Sequence, residues 1–149
     1  MHHVHPALVR RPPGGEIPRP IRARPAPRLM ALHIRPAVPA DAPLVVDLIH
    51  GLAAYERLAD ECVADEAGVR ATLFGDRPQA EVAIAELDGR PAGFALFFHN
   101  YSTFLARRGL YLEDLFVYPE HRGRGVGRAL LAHLARLAVE RGCGRLEWS

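Results

Sequence analysis

Two stretches of this 149-residue chain combine residue types suited to chemistry: the carboxylate pair Glu113-Asp114, and the loop Arg122-Gly123-Arg124-Gly125-Val126-Gly127-Arg128. The loop lies between an apolar run and a helical pattern. The first amides of a helix have no intrahelical acceptor and point along the positive end of its dipole, so a helix start can hold an anion. Glycines at 123, 125 and 127 let an anion approach those amides and permit a concave backbone. Arg122 and Arg124 add charge-assisted hydrogen-bond donors. The carboxylates suggest proton transfer. Adjacent strand side chains face opposite sides, so Glu113 and Asp114 cannot share one core without a distortion. A carboxylate in a partly dry cleft acts as a base toward an ammonium, directly or through water, when its pKa is raised.

The glycine register sorts the known phosphate loops. A P-loop needs G-x-x-x-x-G-K-S/T, and the chain has no lysine, all nineteen of its basic residues being arginine. A dinucleotide fingerprint needs G-x-G-x-x-G, but its third glycine falls on Arg128 counting from Gly123 and on Leu130 counting from Gly125. Glu147 lies where a ribose-binding acid would stand, so this second alternative is disfavoured but stays open.

The elements that must position these residues follow from periodicity. Leu32-His33-Ile34-Arg35 alternates as a short strand, and Asp41 is expected to cap a helix reaching about Arg57, with Leu44, Val45, Leu48, Ile49 and Leu52 on one face. Asp65 opens a shorter helix to about Phe74. Asp88-Gly89 predicts a hairpin between strands over 81–87 and 91–99. Residues 100–109 read as a polar loop, 110–118 as a strand, and Val126, Leu130, Leu131, Leu134, Leu137 and Ala138 as the apolar face of a helix ending at Gly142. Residues 145–149 begin another strand. Residues 1–29 carry seven prolines and six arginines against one acid, and are expected to be a disordered extension to a domain over 30–149, with Met30 as an alternative start.

Arg122-x-x-Gly125-x-Gly127 resembles the acetyl-CoA pyrophosphate loop of the GNAT N-acetyltransferases, Arg/Gln-x-x-Gly-x-Gly/Ala between a strand and a helix. Its flanks, Tyr111-Leu112-Glu113-Asp114-Leu115-Phe116-Val117 and Arg141-Gly142-Cys143, resemble the diamine (spermidine/spermine) acetyltransferase branch. The resemblance covers Leu32 to Ser149. It implies an α/β (α+β) acyl-CoA N-acyltransferase fold, with a mixed, mostly antiparallel central sheet flanked by helices and a C-terminal part lying past Ser149. That part would carry the tyrosine that protonates the leaving thiolate. Acetyl-CoA would lie along Leu115, Phe116 and Val117, pairing with main-chain groups of Leu115 and Val117, its pyrophosphate on the amides from Gly123 to Arg128. The resemblance further implies Glu113 as the base, Asp114 as a supporting carboxylate, and Tyr55 and Glu56 lining the site of a small-molecule amine. In that branch the loop equivalent to 100–109 reaches over the amine with an acid where this chain has Ser102, and an aromatic near Phe104. A homodimer is implied by the same analogy. The contrasting readings are a non-catalytic CoA-binding module and an inactive fragment with little stability of its own.

Composition narrows the partners. Residues 30–149 carry thirteen arginines against sixteen acids, a balance that argues against nucleic acid and accords with a cationic substrate. Cys62 and Cys143 form no disulfide framework, and no apolar run has spanning length, which together suggest a reducing cytoplasm and no membrane. His2, His3 and His5 lack a scaffold, and no His or Cys pairing has zinc spacing, so no metal is expected. Cys143 follows a helix C-terminus, where the dipole disfavours a thiolate nucleophile.

Overall fold

The computed structural model describes residues 31–149. The expected extension over 1–29 and the alternative start at Met30 lie outside the described residues. The elements are β1 (Leu32–Pro36), α1 (Ala42–Tyr55), α2 (Glu66–Leu73), β2 (Glu81–Leu87), β3 (Arg90–Ser102), β4 (Arg107–Val117), α3 (Val126–Glu140) and β5 (Leu146–Glu147). The sheet runs β1-β2-β3-β4-β5. The first three pairings are antiparallel and β4–β5 is parallel. One face packs Ala42, Val45 and Leu48 of α1 and Val69 of α2 onto Val82, Ile84, Phe94 and Phe116. The other packs Val126, Leu130, Leu134 and Ala138 of α3 onto Ala83, Ala95, Phe97, Leu110 and Leu112. This is the mixed, mostly antiparallel architecture expected.

Local chemistry explains most element ends. Asp88 (φ 52°) and Gly89 (φ 77°) both take left-handed backbone, as a two-residue hairpin turn with matching twist requires. Asp65 caps α2 by accepting from the Gly68 amide at 2.7 Å. Asp41 behaves differently from expectation. Its carboxylate makes no capping bond to α1; it accepts from the Val38 amide at 2.8 Å and from both terminal nitrogens of Arg35 at 2.7 and 2.9 Å. It therefore locks the turn Pro39–Asp41 onto β1. A two-pronged arginine contact outcompetes a single amide bond. Helix α1 stops at Tyr55, two residues early, because Arg57 enters the left-handed region (φ 60°) and Leu58 donates back to the Ala53 carbonyl.

The Arg35 contact holds the Asp41 carboxyl below its ordinary pKa, with the Val38 amide adding to the effect and burial opposing it. A lowered folded-state pKa stabilises the fold above the unfolded value, and that contribution is lost as pH falls through the folded one. Asp41→Ala is expected to cost about 1–2 kcal/mol at neutral pH. Urea unfolding should show that cost at pH 7 and little difference from wild type in acid.

The polar loop expected over 100–109 is corrected to a hairpin. β3 continues to Ser102 and β4 begins at Arg107, with Ser102 opposite Arg107. Ser102 is buried, and its Oγ accepts from the Leu105 amide, so this polar residue closes the turn.

The feature that decides the site is a bulge in β4. Leu96 pairs with Asp114 and Phe97 with Leu112, leaving Glu113 without an opposite number. The extra residue shifts the phase of the strand. Before it, Leu110 and Leu112 face α3; after it, Leu115 and Val117 face α3, while Phe116 faces α1. The bulge leaves Glu113 exposed and Asp114 half-buried, so the two carboxylates do not share one buried core.

Candidate active site

Helix α3 starts at Val126 with Gly125 as its N-cap. Gly123 (φ 76°) and Gly125 (φ 80°) are both left-handed, and a Cβ placed on either would meet nothing within 4 Å. Nothing beyond their chain neighbours therefore crowds the side-chain positions of these two glycines. No side chain caps this end and no acid stands in its first turn, in contrast to the Asp65 cap of α2. The helix start keeps its unpaired donors and its positive dipole end for an anion. Val126 is buried, Arg128 is exposed, and Gly127 lies against Leu115 and Val117, so the cradle is seated directly on β4.

β4 has an open edge. It pairs with β5 only at Leu110 and Tyr111, and from Leu112 onward that side has no strand partner among the described residues. Tyr118 donates its amide to Ala92 of β3, so strand alternation turns the main-chain groups of Val117 and Leu115 toward the open edge. Arg122 shows this directly, its Nε donating to the Val117 carbonyl at 3.0 Å. The sequence-predicted strand residues Leu115 and Val117 thus offer main-chain groups beside the cradle, whereas Phe116 faces inward and is 4% exposed.

Arg122 does more than hold Val117. Its guanidinium sits 4.3 Å from the centre of the Tyr55 ring and 5.6 Å from that of Phe116. Tyr55 and Phe116 lie 6.4 Å apart, and Phe116 meets Tyr118 edge-on at 5.7 Å. Arg122 therefore bridges the glycine loop to the end of α1.

Three carboxylates gather on the α1 side. Burial raises the Asp114 pKa above the usual carboxylate value, and the charges of Glu113 and Glu56 raise it further. Glu56 also lines a shallow groove of about 190 Å³ with Leu52, Ala53, Leu58 and Glu61. An apolar floor between acids suits a cation carried on an aliphatic body. No group of His, Cys, Asp and Glu among the described residues is arranged to hold a metal ion, and no helix among them is long and apolar enough to cross a membrane.

This chain has relatives among known proteins in both sequence and fold. The sequence of residues 50–149 matches the Acetyltransferase (GNAT) family. The chain belongs to the GNAT acetyltransferase family. It is 34% identical over 164 residues to the L-ornithine N5-acetyltransferase of Arabidopsis thaliana, covering 80% of this chain and 72% of that protein. It is 36% identical over 121 residues to the thialysine N-epsilon-acetyltransferase of Bos taurus, covering 76% and 71%. A ribosomal-protein-alanine N-acetyltransferase from Brucella melitensis biovar Abortus 2308 superposes with a TM-score of 0.66 at 27% identity, covering 80% of this chain and 79% of that one.

Within this GNAT chain the structure draws together Tyr55, Phe116 and Arg122, and separately couples Glu56, Glu113 and Asp114. Ser102, buried in its turn, offers no group to a cation. The sequence reading missed Asp47, which accepts from the Tyr118 hydroxyl. Its only sequence signal is an acid on a helix whose i±4 neighbours, Pro43 and Gly51, cannot pair with it.

Proposed function

We propose that this GNAT chain transfers the acetyl group of acetyl-CoA to an amine of a small molecule, diamine-like or amino-acid-like. The observation that carries this reading is the continuity of two half-sites on one strand: the uncapped glycine cradle follows the open edge at Leu115 and Val117, and the acids lie one bulge upstream. The open space in front of Gly123 and Gly125 fits a pyrophosphate, held by the amides of Gly123 to Arg128, including those of Arg124 and Val126. A pantetheine arm pairing at Val117 would exchange the Arg122 bond now made there. When bound, acetyl-CoA supplies the activated acyl carbon.

Side chains of this chain bind and deprotonate the acceptor amine, and CoA leaves as its thiolate, which takes up a proton from solvent. Glu56 and Asp114 receive the ammonium, Tyr55, whose ring carries the Arg122 guanidinium, flanks them at the end of α1, and Glu113, solvent-facing at the bulge, takes the ammonium proton directly or through water. Strand amides near the bulge stabilise charge developing on the attacked carbonyl oxygen. The groove past Glu56 accommodates an aliphatic body. The names of the relatives, which act on ornithine and thialysine, support an acceptor of this size. Free Cys62 and Cys143 support a cytoplasmic setting, and the resemblance to the diamine branch supports a homodimer and a GNAT-like domain that includes residues 30–149.

The test is calorimetric titration of the full chain with acetyl-CoA, followed by thiol release with ornithine, thialysine and spermidine. Saturable binding and amine-dependent release are expected. No acetyl-CoA binding would overturn the reading, and binding without release to any amine would leave a CoA-binding module in its place.

A further inference from the structure

We infer that Asp47, acting through Tyr118, is a positioning residue for the donor loop, an inference that rests on the acetyl-CoA reading above. Tyr118 is where the sheet hands the chain to the loop: it follows the last residue of β4 and is the N-cap of the turn Pro119–His121. Its amide donates to Ala92 at 2.8 Å and its carbonyl accepts from the His121 amide at 2.9 Å. Its ring stands edge-on against Phe116 at 5.7 Å, and its hydroxyl donates to the Asp47 carboxylate. Backbone bonds fix the start of the turn. Packing in the α1 core places the ring, and the Asp47 bond fixes its hydroxyl on α1.

Burial and then Asp47 raise the Tyr118 pKa, so the phenol stays protonated and keeps donating. Downstream, Arg122 closes the turn by donating to the Pro119 carbonyl at 3.3 Å, and the glycine cradle begins at the next residue. Tyr55 and Asp47 sit on the same helix, and the ring chain Tyr55–Phe116–Tyr118 ends at the Asp47 bond. Asp47 thus ties the helix that carries the acceptor residues to the root of the loop that carries the donor amides. Small misalignment of a preorganised site is expressed as lost affinity.

The experiment compares wild type, Asp47→Ala, Asp47→Asn, Tyr118→Phe and the double variant Asp47→Ala/Tyr118→Phe, all as the full chain. Asp47→Ala and Tyr118→Phe are each expected to weaken acetyl-CoA binding about fivefold, the net worth of one ordinary hydrogen bond. Amine KM and kcat at saturating acetyl-CoA should stay at wild-type values. The double variant should be no weaker than either single one, because both remove the same bond. Asp47→Asn keeps an acceptor oxygen and should recover most of the affinity. Wild-type acetyl-CoA affinity in Asp47→Ala would overturn the inference. So would an equal loss in amine KM, additive losses in the double variant, or no recovery with asparagine. A wild-type chain that binds no acetyl-CoA would overturn the functional reading and this inference with it, and that result is visible in the wild-type titration alone.

Discussion

Glu113→Gln is expected to lower kcat about 100-fold, at the lower end of what a positioned general base contributes, with little change in the KM of either substrate. The amide keeps the size of the carboxylate and its place at the bulge, but it cannot accept the ammonium proton. Asp114→Asn should behave differently. That residue sits half-buried between Glu113 and Glu56, and its raised pKa reports the cost of keeping its charge there. A bound ammonium would relieve that cost, so removing the charge should chiefly raise amine KM. The pH profile separates the two roles. An ionised Asp114 is needed to hold a cation, so kcat/KM for the amine should fall as pH drops through a pKa above the usual aspartate value, and Asp114→Asn should remove that limb. Steady-state kinetics across pH would reverse the two assignments if Asp114→Asn lost kcat and Glu113→Gln lost only amine affinity.

Gly125→Val should abolish donor binding in practice, with acetyl-CoA affinity reduced about 100-fold or more, while leaving the fold intact. Two effects combine at this position. A non-glycine residue at φ 80° costs roughly 1–2 kcal/mol, and more when it is β-branched, so the backbone leaves the left-handed region and rotates the first α3 amides away from the ligand. The new Cβ also projects into the space that glycine leaves open in front of them. Calorimetry with acetyl-CoA and a thermal melt on the same sample check this together. A variant that unfolds cooperatively near the wild-type midpoint and no longer binds is the expected result. One that binds as tightly as wild type would remove the cradle from this loop.

Much of this arrangement could be read from the residues because it rests on local rules. The glycine register at 123, 125 and 127 separates one phosphate loop from others without any coordinates. Asp88-Gly89 and Asp65 determine a turn and a cap within four residues of themselves. What escaped depends on partners distant in sequence. Asp41 looked like a helix cap until Arg35, already placed by β1, claimed its carboxylate. Residues 100–109 looked like a loop because polar side chains at a hairpin tip alternate too weakly to signal pairing. Arg122, read as a phosphate donor, lies over Tyr55, a contact spanning 67 positions of sequence that no spacing rule reaches. The bulge was likewise hidden, because the adjacency of Glu113 and Asp114 calls for a distortion only if both lie in one core.

That bulge also determines which kinds of genetic change this strand tolerates. Deleting Glu113 would only close the bulge into regular pairing, with Leu96 still opposite Asp114 and Phe97 opposite Leu112. Leu115, Phe116 and Val117 would keep their present faces, whereas deleting a residue from Leu115 to Val117 would exchange the two cores beyond it. Substitutions at Glu113 cause no such exchange, because its side chain is exposed and has no cross-strand partner. The bulge at Glu113 can therefore change without moving either core, whereas the length of β4 from Leu115 to Val117 is fixed by the two cores it serves.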